Sequence, residues 1–304
     1  MGAELPIILR LLRNTPLNSG QVVCHQRFDR LYRGGPISWV SYRIEMTYET
    51  ILYEETGPVG RITLNRPDQG NMFNQVMLHE LADVLEQARR EVRTRVLVLT
   101  GAGDRFFCLG GDKAGLEDTL GYPGVLPIVD VYDLIDRHPK PIIASINGFA
   151  VGGGNVLHVV CDLTIAKESA VFRQVGPLVG SFDAGYGTWY LEDLVGRKRA
   201  KEIWFLNEKI DARSALNMGL VNRVVPDANL REETDRLALA IAERGSQALA
   251  AVKGSFNARS NGVAGFSRFA HDLLVTHYLE TEEARELQSS FDEKRSANPA
   301  SFWH

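Results

Sequence analysis

Cysteine is scarce and odd in number. The 304 residues hold only Cys24, Cys108 and Cys161, with no pair at metal-ligand spacing, which argues against both a disulfide framework and a thiolate metal site. The seven histidines form no metal pattern either, so no metal is expected. A strong charge of one sign is also missing. Lys and Arg number 34 against 38 Asp and Glu, a formal net charge of -4, which offers nothing for electrostatic binding of nucleic acid. No apolar run approaches the roughly twenty residues of a membrane span. Neither nucleic acid nor membrane is therefore an expected partner. Low-complexity segments and short internal repeats are lacking too. What remains, 44% hydrophobic and 24% charged, suits a soluble enzyme with one full core plus appendages. Without a secretory-type leader, the thiols read as reduced and the location as cytoplasmic.

Residues 1–45 stand apart. They hold six arginines, no lysine and three acids, with Pro6, Pro16 and Pro36 interrupting any long helix. An Arg-rich, acid-poor segment fits a transit peptide, but a non-native, poorly ordered upstream extension is the preferred reading. Beyond it, Ile51, Tyr53, Ile62 and Leu64 alternate as strands do, while Leu78, Leu81, Val84, Leu85 and Ala88 give the spacing of a buried helical face. Strands and helices alternate to about residue 180, and residues 190–294 read mainly as helix. The expected class is α/β, with stacked ββα turns over residues 46–230 and a helical region over 231–304.

Two glycine-rich turns carry the chemistry. Phe107-Cys108-Leu109-Gly110-Gly111-Asp112 and Phe149-Ala150-Val151-Gly152-Gly153-Gly154-Asn155 each follow an apolar strand-like run, Val96–Leu99 and Ile142–Ile146, and each can open a helix. Glycine lets backbone come close to a ligand, and free N–H groups at a helix start point at developing negative charge. A pair of such turns points to enolate chemistry rather than phosphate binding. Cys108, beside them, reads as a small side chain filling a tight turn, and His158 as a structural histidine.

With these turns, Leu64-Asn65-Arg66-Pro67, Pro139-Lys140-Pro141, Cys161-Asp162-Leu163 and Ala215-Leu216-Asn217-Met218-Gly219-Leu220-Val221 resemble the crotonase (enoyl-CoA hydratase/isomerase) superfamily from about Met46 onward. The resemblance implies a crotonase-like spiral of ββα turns, an acyl-CoA thioester substrate, no tightly bound cofactor, and a homotrimer or homohexamer. It implies that the amides of Gly111 and Gly153 hold the thioester oxygen. Leu109, Gly110, Asp112, Lys113, Phe149, Val151 and Gly152 match backbone that lines the pantetheine, Tyr122 follows Gly121 at the family spacing, and Lys294 matches a lysine near CoA phosphate.

The two hydratase glutamates are absent. Their positions read Val156 and Gly176, so acid and base for adding water across an enoyl thioester are both missing. The run Gln174-Val175-Gly176-Pro177-Leu178-Val179-Gly180-Ser181-Phe182-Asp183 instead resembles the branch of 1,4-dihydroxy-2-naphthoyl-CoA synthase and 2-ketocyclohexanecarboxyl-CoA hydrolase, which make or break a carbon–carbon bond by Claisen (Dieckmann) chemistry or its reverse. In that branch Asp183 takes the acid/base role, Ser181 a polar substrate contact, Gln174, Val175 and Gly176 line the substrate, and Tyr278 reaches a neighbouring subunit's site. Bicarbonate serves the synthases at Gln-Thr-Gly; Val175 stands where that threonine would be and weighs against it. Gln-Val-Gly, Gly-Gly-Gly-Asn-Val-Leu and Gly-Tyr-Gly-Thr look more like the hydrolase, so ring opening is the expected direction. Alternatives are ring-forming condensation, another crotonase isomerase or lyase, and an inactive crotonase-like scaffold.

Overall fold

The structure, a computed structural model, describes residues 48–112, 128–298 and 302, the side chains of 272 and 273 excepted. The N-terminal extension, Lys113 and Tyr122 lie outside the described residues.

From Thr50 onward, two sheets stack in a rising spiral. The larger follows the order β1 (Ile51–Thr56), β2 (Val59–Leu64), β3 (Val96–Gly101), β5 (Ile142–Ile146), β7 (Leu163–Lys167), β10 (Arg223–Val225). The smaller runs β4 (Phe106–Cys108), β6 (Phe149–Val151), β8 (Val171–Arg173), β9 (Ile210–Asp211). Among the described strands only the β1–β2 hairpin and the β8–β9 pair are antiparallel. Consecutive strands alternate between sheets, β3 then β4, β5 then β6, β7 then β8, so each turn of the chain adds one strand to each layer. This is the expected α/β spiral of ββα turns.

The strands form where the sequence is continuously apolar because helices cover both faces of a parallel sheet. All five residues of β5 are buried. β1, at the edge, keeps the alternation its sequence showed, with Ile51 inside and Leu52 out. The helix Gln75–Arg90 buries Leu78, Leu81, Val84, Leu85 and Ala88, and Asn74 caps it by accepting from the Met77 amide at 3.0 Å. The helix Leu230–Ala242 lays Leu230, Ala238 and Ala242 on Val96, Val98, Ile143 and Ile165 of the larger sheet.

Residues 190–294 are mainly helical, as expected, with β9 and β10 completing one sheet each. Two- and three-residue strands carry too few side chains to show a period. The helix Ser246–Phe269 breaks at Gly262 (φ 55°, ψ -132°), a conformation only glycine adopts readily. Its first half is anchored by buried Lys253, which donates to the Asp162 carboxylate at 2.7 Å and to the Ile135 carbonyl at 3.0 Å. The Cys161-Asp162-Leu163 landmark thus serves to hold this helix onto the sheet.

Candidate active site

The two glycine turns meet. Gly110 (φ 95°) lies so close to the second turn that a Cβ there would stand 3.1 Å from the Gly153 nitrogen and 3.2 Å from the Val151 carbonyl. A Cβ on Gly154 would sit 2.0 Å from the Cys108 carbonyl oxygen. These glycines are the condition for two loops to touch. Gly111 pairs with Phe73 in an isolated parallel bridge, in which the Phe73 amide donates to Gly110 and the Asp112 amide donates to Phe73. In that pattern the amide of Gly111 itself points away from the bridge. Gly153 is the first residue of the helix Gly153–Val160, and a first-turn amide has no acceptor within its helix. Gly152 (φ 55°, ψ -124°) turns the chain into that helix, its own amide held by the Arg173 carbonyl at 2.9 Å.

Asp183 lies near Gly187. It follows the short helix Gly176–Val179 and is half-buried; burial raises its carboxyl above the ordinary value. A Cβ on Gly187 would be 2.5 Å from the Asp183 Cβ and 3.3 Å from a Val156 methyl, so Asp183 and the fully buried Val156 converge on one spot. Gly176 is buried against the Ser181 carbonyl and Trp204, where a Cβ would lie 2.6 and 3.0 Å from them. Trp204 is fixed by donating to the Gly187 carbonyl at 2.7 Å. This backbone therefore has no room for a glutamate at position 176. Gln174 is fully buried, and both polar atoms of its amide lack a partner among the described residues. An unpaired buried amide costs about 1–3 kcal/mol, which suits a group waiting for a polar ligand or a water.

With this geometry stands a match to known proteins. The family profile described as Enoyl-CoA hydratase/isomerase matches residues 54–300. The chain belongs to the enoyl-CoA hydratase/isomerase family, within the crotonase superfamily. Among solved structures it is similar to an enoyl-CoA hydratase from Bacillus anthracis, with 32% identity, a TM-score of 0.67, and coverage of 82% of this chain and 98% of that one. An enoyl-CoA hydratase subunit I from Geobacillus kaustophilus HTA426 gives 31%, 0.65, 83% and 98%. DspI of Pseudomonas aeruginosa gives 27%, 0.65, 84% and 97%.

On this crotonase frame the remaining sequence candidates fall in different places. Ser181 is exposed, its amide closing the turn onto the Gly176 carbonyl at 2.9 Å. Leu109, Phe149 and Val151 are half-buried along the two turns, and Val175 lies beside Gly152. Asp112 pairs with Arg66 at 2.9 Å, so the Asn-Arg-Pro landmark braces the first turn. Tyr278 lies 43% exposed on the helix Thr276–Leu279 beyond the Gly262 break, and Lys294 is exposed just past the helix Glu282–Asp292.

Cys108 accepts from the Gly110 amide at 3.4 Å, and burial pushes its thiol up to about 12, which disqualifies it as a nucleophile at neutral pH. His158 is buried between Asn155 (3.1 Å) and Thr164 (3.3 Å), and burial lowers it to about 3, so it stays neutral. Among the described residues no group of three His, Cys, Asp or Glu is placed to hold a metal, and no helix is long and apolar enough to cross a membrane.

One residue escaped the sequence reading. Tyr132, on the helix Ile128–Asp136, is buried and donates from its hydroxyl to the Gly153 carbonyl at 3.0 Å. Its spacing with Val131 and Ile135 reads as core packing, and no local signal distinguishes it.

Proposed function

We propose that this crotonase-family acyl-CoA enzyme cleaves a carbon–carbon bond in a cyclic β-keto acyl-CoA by reverse Claisen (Dieckmann) hydrolysis. The observation that supports the reading is that Asp183 and Val156 both lie against Gly187, while position 176 has no room for a hydratase carboxylate. In the proposed reaction Asp183 takes a proton from water, whose oxygen adds to the ring ketone. The ring bond between that carbon and the α carbon then breaks, leaving a carboxylic acid at one end. The bonding electron pair passes into the thioester as an enolate. The amides of Gly111 and Gly153 hold the enolate oxygen, and the proton taken by Asp183 returns to the α carbon. The net change is addition of one water. A carboxyl raised by burial suits both halves of this exchange, because it releases and recovers a proton closer to neutral pH than an exposed aspartate does.

Gln174 and Ser181 would contact the acyl group, and Lys294 the CoA phosphate, where a compact ammonium is a suitable point charge. Tyr278 would enter from a neighbouring subunit of a homotrimer or homohexamer, a state supported by exposed Phe256, Val263, Phe266 and Leu274 on the C-terminal helices. The residues present fit bicarbonate poorly. Gln174 offers one buried amide, but Val175 contributes no hydroxyl, and no step above uses the ion.

The Gly-Ser-Phe-Asp run supports a second reading, ring-forming condensation of a succinylbenzoyl thioester on the same machinery. Incubating the protein with a panel of cyclic β-keto and succinylbenzoyl thioesters, with mass detection, separates the two. A ring-opened acid is expected. Crotonyl-CoA hydration at ordinary enzyme rates, on the order of 1 to 10³ per second, with no product from either panel would overturn both readings.

A further inference from the structure

The peptide that carries the Gly153 amide has a glycine at each end; its own carbonyl, that of Gly152, accepts from the amides of Asn155 at 2.9 Å and Val156 at 3.1 Å, and the peptides on either side are tied as well. One is tied by backbone: the Gly152 amide donates to the Arg173 carbonyl at 2.9 Å. The other is tied by a side chain, the Tyr132 hydroxyl donating to the Gly153 carbonyl at 3.0 Å.

Tyr132 is itself held in register with the Asp183 segment. Its ring meets Tyr186 edge-on, with centroids 5.8 Å apart. The Tyr186 hydroxyl donates to Asp133 at 3.0 Å and that of Tyr190 to Asp136 at 2.9 Å. Asp136 in turn accepts from Asn261 at 2.9 Å. The helix Ile128–Asp136 therefore touches the second glycine turn through one tyrosine and the segment just after Asp183 through two others.

Resting on the oxyanion reading above, we propose that Tyr132 is a positioning residue: its hydroxyl, holding the Gly153 carbonyl, acts with the Asn155 and Val156 amides on the Gly152 carbonyl to fix the direction of the Gly153 amide. Phe73 and Tyr132 also wall Gly153, where a Cβ would lie 2.6 and 3.1 Å from them. Burial holds the phenol protonated, with the charge of Asp183 acting in the same sense, so the hydroxyl remains a donor throughout the working pH range.

The test needs no knowledge of the natural substrate. Acetoacetyl-CoA, a β-keto thioester, ionises to an enolate with its own ultraviolet absorption, and butyryl-CoA reports thioester binding without enolisation. Wild-type protein should bind both and raise the enolate fraction of bound acetoacetyl-CoA. Tyr132→Phe keeps the ring and removes the bond, and should lower the bound enolate-to-keto ratio about tenfold, the worth of one directed hydrogen bond, with butyryl-CoA affinity within about twofold. A purely structural role would weaken both ligands together. Tyr132→Gln drops the ring but keeps a donor, and its ratio should lie nearer to wild type than that of the Phe variant. Should the Phe variant not fold, a tenfold loss in the Gln variant would itself refute the proposal. An unchanged ratio in Tyr132→Phe, or equal loss of both ligands, overturns the positioning role. Failure of the wild-type protein to enolise acetoacetyl-CoA would instead overturn the oxyanion reading beneath it.

Discussion

Gly176 is where the proposed reaction departs most sharply from that of a hydratase, and one added methyl group tests it. In Gly176→Ala the new Cβ would stand 2.6 Å from the Ser181 carbonyl oxygen and 3.0 Å from Trp204 Cζ3. Ordinary contact begins near 3.4 Å, so the neighbours must give by several tenths of an ångström. Neither is free to do so. The Ser181 carbonyl is main chain in a turn closed by its own amide on Gly176 at 2.9 Å, and Trp204 is buried and bonded to Gly187. Overpacking of this kind costs about 1–3 kcal/mol. For a domain of this size that is a fall in Tm of about 2–12 °C, readable by calorimetry. Because Ser181 stands two residues before Asp183, the displacement passes directly to the proposed acid/base group, and turnover should fall further than stability. Gly176→Glu, which restores the hydratase residue in name, should be worse folded still and gain no crotonyl-CoA hydration. A Gly176→Ala protein with wild-type Tm, or a Gly176→Glu protein that hydrates crotonyl-CoA, would refute the argument.

Other outcomes follow from the same geometry. Asp183→Asn should lower turnover by about 10²- to 10⁴-fold while Tm rises or holds. The sign follows from the raised carboxyl: its stabilising contribution is complete below the unfolded value of 3.8 and is lost as pH rises through the higher folded value, so at neutral pH the ionised side chain is a burden that asparagine removes. His158 and His138, lowered to about 3 and about 4, act in the opposite direction. Their stability is complete above pH 6.5 and is lost as pH falls toward those values, at a limiting slope of about 1.4 kcal/mol per unit for each. Denaturant titration of His158→Gln between pH 4 and 6.5 should show a shallower decline than wild type, and an identical slope would contradict the buried, neutral assignment. Light scattering should give a trimer or its double; an active, stable monomer would remove Tyr278 from the site.

The glycine turns were legible in the sequence because no other residue tolerates their geometry. Gly110 and Gly152 have positive φ, and Gly154 lies against the Cys108 carbonyl. The helix at Gln75–Arg90 was legible because five apolar positions repeat on one face, and β5 because burial on both sides demands an unbroken apolar run. Val156 and Gly176 could be read as lost carboxylates, but not the reason position 176 cannot regain one, since Ser181 and Trp204 arrive there only in the fold. Tyr132 was illegible on the same principle. Its partner is a carbonyl 21 residues away on another element, and a buried tyrosine at helical spacing carries no mark of that bond. The ties from Lys253 to Asp162 and from Asn261 to Asp136 span 91 and 125 residues and leave no local pattern.

The central claim is that a carbon–carbon bond is broken by water under the control of Asp183 and the glycine turns. Its most direct test is to incubate the protein with a ring β-keto thioester, 2-oxocyclohexanecarbonyl-CoA, in heavy-oxygen water and follow the products by mass spectrometry. The account predicts a ring-opened dicarboxylic monothioester carrying one heavy oxygen in its free carboxyl group, with the CoA thioester intact and the product abolished or nearly so in Asp183→Asn. Heavy oxygen found only in acid released by thioester hydrolysis, or an equal yield from the Asn variant, would contradict it.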